Sequence, residues 1–162
     1  MTTPQWRSPP TGPRRWFLRL PLLVFRARLG WMFGGRLVML VHRGRRTGLE
    51  HRVVVEVASR DPASGTVTVA SGYGPAADWY RNLLAHPEAT MVLGARRVAV
   101  RARPMPAEEG GELMVDYARR HPRAARMVAR QMGVRVDGSD RGYRELGRAL
   151  PYQRLEQTAP QE

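Results

Sequence analysis

Seven consecutive residues, His42-Arg43-Gly44-Arg45-Arg46-Thr47-Gly48, place two arginines and a threonine between two glycines, with a third arginine just before them. The glycines let the chain turn sharply with its N–H groups converging on one point, and such a nest binds anions. Arg45, Arg46 and Thr47 add guanidinium forks and a hydroxyl, the donors a phosphate or carboxylate accepts from. The plainer account is a hairpin turn with solvated arginines, and spacing alone leaves both open. A second stretch, ASGYGPAADWYRN from Ala70 through Asn82, reads as a strand ending in Ser71, a glycine-rich loop, and a helix beginning near Ala77. Backbone N–H groups at that helix start would meet a second polar part of the same ligand. Trp79 offers a flat apolar face, of a residue type that equally fills a core.

Other chemistries find little support. The chain has no cysteine, which excludes disulfides, thiolate metal sites and a cysteine nucleophile. His42, His51, His86 and His121 lie scattered, without the close pairing a zinc site needs, so no metal is expected. No GxGxxG follows a strand, and GRRTG lacks the spacing and the lysine of a Walker loop.

The elements that must position these stretches follow from pattern. LVMLVHR, 37 to 43, is a continuous apolar run of the kind a strand buried on both faces shows. HRVVVEVA (51 to 58) is rich in β-branched residues, and TVTVAS (66 to 71) alternates after the turn signal DPASG. A short helix is expected over 76 to 86, stopped by Pro87. ATMVLG (89 to 94) and RVAVRAR (97 to 103) form a hairpin, the second strand alternating Val98, Val100 and Ala102 with arginines. From Pro106 an acidic start and a basic end suit a helix dipole, and Pro122 opens another helix through Met132. ALPYQRLE, 149 to 156, returns as a sixth strand. The expected class is α+β: a small, mostly antiparallel split β-barrel of about six strands decorated with helices.

The expected organisation is a disordered lead over 1–15, an amphipathic helix over 16–35, a cofactor-binding barrel over 36–157 and a tail over 158–162. Arginines at 19, 26 and 28 interrupt each apolar run before it reaches secretory or membrane-spanning length, so a cytoplasmic location is expected. Bulky apolar residues interleaved with arginines over 16–33 would suit an anionic membrane surface, placing the chain peripherally on the inner face; the competing account packs this helix on the barrel or on a second subunit of a homodimer.

Twenty-seven basic residues, all arginine, face 14 acidic ones, a formal net charge of +13. A field of that sign attracts polyanions, so one alternative function is a basic nucleic-acid-binding module. Against it, the arginines are dispersed along the chain and the aromatics form no stacking motif on neighbouring strands, so nucleic acid is not the expected partner.

Taken together, the G-R-R-T-G turn, the strand ending in V-A-S, the glycine-rich loop and D-W-Y-R-N-L-x-A-x-P resemble the deazaflavin-dependent nitroreductase family, split-barrel proteins that use coenzyme F420. The similarity covers about residues 37 to 103 well and the later helices more loosely. It implies that the turn of Arg45, Arg46, Thr47 and Gly48 grips the cofactor's phosphate and polyglutamate tail. Val69, Ala70, Ser71 and Gly72 would line the deazaflavin ring, and Trp79 and Asn82 would lie in the motif closing over it. FMN is the alternative cofactor, since the loop Gly72-Tyr73-Gly74-Pro75 is shorter than in many relatives. The implied activity is hydride delivery to an apolar acceptor, a quinone, nitroaromatic, enone or unsaturated acyl compound; a non-catalytic cofactor-binding barrel is the other reading. Because the cofactor carries the redox chemistry, the protein need supply only orientation, electrostatics and a proton donor, for which Tyr73, Tyr143 and Tyr152 are the candidates.

Overall fold

The structure is a computed structural model describing residues 5–6 and 35–158. The expected N-terminal helix and most of the expected disordered lead lie outside the described residues. Gln5 and Trp6, within that lead, are packed: the Gln5 N–H donates to the Met132 carbonyl at 3.1 Å, and the Trp6 indole covers Gly74.

Six strands close into an antiparallel barrel: β1 (Leu37–Arg43), β2 (Glu50–Arg60), β3 (Val67–Ala70), β4 (Glu88–Leu93), β5 (Arg96–Pro104) and β6 (Tyr152–Gln157). Their order around the barrel is β1-β2-β3-β6-β5-β4, and β4 pairs back onto β1 through Met39↔Val92 to Val41↔Thr90. The pleat sends alternate residues inward. Val38, Leu40, Val55, Val69, Met91, Val100 and Leu155 therefore fill one interior, and Met39, Val41 and Val92 form a second cluster on the outer side, which explains why β1 reads as unbroken apolar sequence.

Helix α1 (Asp78–Ala85) follows β3 and sends Trp79 and Leu83 into the barrel interior. Burying two such side chains stabilises the fold by roughly 2 kcal/mol each. Three further helices, α2 (Ala107–Arg120), α3 (Pro122–Gln131) and α4 (Asp140–Ala149), build a layer with its own core of Met114, Val115, Ala125, Met132, Tyr143 and Leu146, joined by Tyr152 of β6.

Helices α2 and α4 meet backbone to backbone. A Cβ on Gly147 would lie 2.3 Å from the Gly110 carbonyl oxygen, so only glycine permits this approach. The acidic start of α2 also reaches across to arginines, with Glu108 on Arg148 and Glu112 on Arg144, both at 2.6 Å, and Glu109 on Arg154 of β6. Helix α4 has no counterpart among the elements expected from sequence. Ser139 caps it, its hydroxyl accepting from the Gly142 N–H at 3.1 Å. Because α4 runs to Ala149 and Pro151 follows, the sixth strand begins at Tyr152, not at residue 149.

Candidate cofactor site

The β1–β2 turn is fastened by its own amides. The Gly44 N–H donates to the Leu49 carbonyl and the Gly48 N–H to the Gly44 carbonyl, both at 2.8 Å, while the Arg45 N–H donates to Asn82 Oδ1 at 3.1 Å. The expected convergence of the turn's amides on an anion is thus corrected: three of them point to protein acceptors. Gly48 adopts φ +69°, where glycine is favoured, and lines a separate cleft with Arg43 and Glu50.

Asn82 of α1 is the pin of this arrangement. Its Oδ1 also accepts from Arg45 Nη1 at 2.9 Å, and its amide nitrogen faces His42 Nδ1 at 3.3 Å. Two Arg45 donors demand an oxygen there, so the NH2 side must donate to a neutral His42. Burial, with the nearby His51 ring adding to it and Asp78 opposing, pushes His42 down to about 4, which keeps it neutral near pH 7. Arg45 Nη2 completes the fastening on Asp78 Oδ1 at 3.0 Å.

Arg45 and Arg46 consequently differ. The Arg45 side chain is 19% exposed and engaged, whereas Arg46 is exposed and has no ion pair among the described residues. Thr47 Oγ1 accepts from the Leu49 N–H at 3.3 Å, leaving its own O–H to donate outward. Asp78, 83% exposed at the start of α1, puts a carboxylate where the sequence suggested an anion cradle, and a like charge opposes that use.

Arg45, Arg46, Thr47, Asn82 and His42 line a cleft of about 500 Å³ that continues past Val53, Tyr73 and Trp79. The same three residues line a largely apolar cavity of about 390 Å³ between β2 and the helical layer, walled by Val55, Val57, Ala70, Gly72, Leu113, Met114, Tyr117, Met132 and Tyr152. Trp79, 8% exposed, belongs to the barrel core and to this wall at once. Of the residues the resemblance assigned to the ring, Ala70 and Gly72 line the cavity. Val69 faces the barrel interior, and Ser71 is fully buried with its hydroxyl donating to the Gly74 carbonyl at 2.7 Å, so it shapes the loop.

Among the tyrosines, Tyr73 stands at the junction of cleft and cavity, Tyr152 lies in the cavity wall, and Tyr143 is packed in the helical core away from both. Tyr117 was not among the candidates from sequence; its hydroxyl donates to Glu56 at 3.4 Å across the cavity edge, and burial and that carboxylate push its phenol up. The only hint was its place on the apolar stripe of α2.

A model of the F420H(2)-dependent quinone reductases matches residues 24–139. The chain belongs to that family. Membership makes it an F420-dependent oxidoreductase acting on an apolar acceptor. No curated protein matches its sequence. Solved structures share the fold at low identity. An F420-H2 dependent reductase, FDR-A, superposes with a TM-score of 0.51 at 17% identity, over 75% of this chain and 94% of that one. A pyridoxamine 5'-phosphate oxidase-related, FMN-binding protein of Nostoc punctiforme gives 0.52 at 13%, over 91% and 81%. PhzG of Burkholderia lata, in complex with tetrahydrophenazine-1-carboxylic acid, gives 0.52 at 16%, over 97% and 82%.

The donor set of this family member suits a deazaflavin cofactor. A flat apolar ring needs the valine-lined cavity, and a phosphate-bearing tail needs donors at one end of it, where Arg46 and Thr47 stand. No described helix is long and apolar enough to cross a membrane.

Proposed function

We propose that the chain holds coenzyme F420 along this groove, ring in the apolar cavity and phosphate tail over Arg46 and Thr47, for the reduction of a flat quinone-type acceptor. The observation that carries the reading is the adjacency of an apolar cavity and a cationic cleft, which share Val53, Tyr73 and Trp79 as walls. The bound cofactor would supply the hydride. The protein's own residues do the rest: Arg46 and Thr47 bind the tail, Asn82 and Arg45 hold the turn in place, and the walls of Val55, Val57 and Met132 keep water from the reacting faces.

Equilibrium dialysis against oxidised F420 and against FMN tests it. Micromolar or tighter binding of F420, with FMN much weaker, is expected; equal or better binding of FMN would overturn the cofactor placement. Attachment of residues 16–33 to an anionic membrane surface, peripheral on its inner face, belongs to the same proposal and rests on their sequence pattern. Flotation with anionic liposomes, for the full chain against one lacking the first 33 residues, decides it.

A further inference from the structure

Residues 5 and 6 are seated between two segments that line the apolar cavity. On one side is the loop that follows β3. Its Gly74 has φ +78°, and a Cβ there would lie 2.7 Å from both Cγ and Cε2 of the Trp6 indole. The ring therefore rests on bare backbone, and only glycine admits it. The loop is wound tightly at this point, with the Gly74 N–H donating to the Ser71 carbonyl at 3.0 Å and the Gly74 carbonyl accepting from the Ser71 hydroxyl. On the other side is the end of α3. There the Gln5 N–H donates to the Met132 carbonyl, a Cβ on Gly133 would meet Gln5 Cβ at 3.6 Å, and the indole packs against the helical core.

Both segments are cavity walls. Gly72 and Tyr73 line it from the loop, Gln131 and Met132 from the end of α3, and the two come together where a Cβ on Gly72 would lie 3.6 Å from Gln131 Nε2. Tyr73 also lines the cationic cleft, so the position of this loop sets where cavity and cleft adjoin. A loop with glycines at 72 and 74 loses much backbone freedom when it is held in one shape. An indole packed between it and α3 removes that freedom before a ligand arrives, and binding then has less ordering to offset.

We infer that Trp6 is a positioning residue for the cavity: its indole clamps the 71–75 loop to the end of α3 and so fixes the gap between loop wall and helix wall that a flat ring must enter. The inference rests on the function proposed above, which puts the cofactor ring there. Trp6 acts through Gly74 and Met132, not by touching the ring. Without the clamp, the loop must be ordered by the ligand itself, a cost that ground state and transition state share. Binding of the flat molecules therefore weakens, and the chemical step changes little once they are bound.

The test uses the full chain with Trp6→Ala and Trp6→Phe. In ligand-free Trp6→Ala, amide hydrogen exchange should speed up about tenfold over residues 72–75 and stay as in wild type over the barrel strands. Its Kd for oxidised F420 and its calorimetric Kd for menadione should each rise about tenfold, with kcat for menadione reduction within about threefold of wild type. Trp6→Phe, which keeps a flat ring on Gly74, should recover most of the loss. Lower thermal stability with both affinities unchanged would make Trp6 a packing residue alone, and the inference fails. It fails equally if exchange over 72–75 does not change or rises throughout the barrel, or if kcat falls while both affinities hold. A wild type that ignores F420 refutes the proposed function, and menadione affinity together with loop exchange still decides the clamp.

Discussion

At the cationic end of the groove Asn82 uses its carbonyl oxygen twice on Arg45 and its NH2 on His42, whereas the apolar cavity beside it is walled mainly by side chains such as Val55, Val57, Leu113 and Met132. The first region is complete before a ligand arrives: its hydrogen bonds hold a turn and a helix together and leave Arg46 outside them, with no ion pair among the described residues. The second rests on apolar shape, with Tyr117 bonded to Glu56 at its edge. Hydrogen-bonded preorganisation therefore belongs to the end that grips, and apolar packing to the other.

Removing the pin is the hardest blow to this contrast. Asn82→Ala strands the Arg45 N–H, part of its guanidinium and the His42 acceptor, and should destabilise the fold by about 3 kcal/mol and lower F420 affinity as well. Urea unfolding measures the first and dialysis the second; a variant with wild-type stability would mean the network is not what holds the turn.

Separating the two arginines sharpens it. Arg46→Ala should raise the Kd for F420 roughly tenfold to a hundredfold, about 1.5–3 kcal/mol, with turnover at saturating cofactor and Tm unchanged, because contacts remote from the reacting carbon bind ground and transition states alike. Arg45→Ala should lose stability too. Steady-state menadione reduction across reduced F420 concentrations, paired with thermal melts, distinguishes them. Equal behaviour of the two variants would erase the distinction between a fastening and a gripping arginine.

A smaller effect comes from pH. Folding lowers His42 to about 4, so the unfolded chain takes up the proton first as pH falls. The contribution is full above about pH 6.5, the ordinary histidine value, and is lost between there and pH 4; the full shift is worth about 3 kcal/mol, and solvent screening of the partly wet ring brings it to about 2 kcal/mol. Denaturant titrations at pH 7, 5.5 and 4 should show this slope in wild type and lose it in His42→Gln, which keeps an acceptor for Asn82 without the titration.

How much of this was legible in the sequence depended on distance along the chain. Strand β1 ends where its apolar run ends, Leu37 to Arg43, because burial on both faces leaves no ambiguity. The turn and α1 were readable since Arg45, Arg46, Thr47 and Trp79 each sit in a local pattern. Helix α4 was not: Tyr143, Leu146 and Leu150 keep helical spacing, but Gly142, Gly147 and three arginines dilute the stripe, and Gly147 answers to a contact with α2, far off in sequence. Val69 was misplaced by analogy, since the pleat turns it inward. Tyr117 and Glu56 stand 61 residues apart and meet only because α2 folds back over β2, a relation no local pattern carries.

Closure of the barrel by β4 on β1 has a consequence for association. A sheet with a free edge offers unpaired N–H and C=O groups to any passing strand, and a chain this rich in valine would then be prone to template fibrils. Here each of the six strands has a neighbour on both sides, so the described barrel gives a second copy no backbone ladder to extend. Self-association of the described barrel must therefore run through side-chain faces or an exchange of whole segments, not through an added strand.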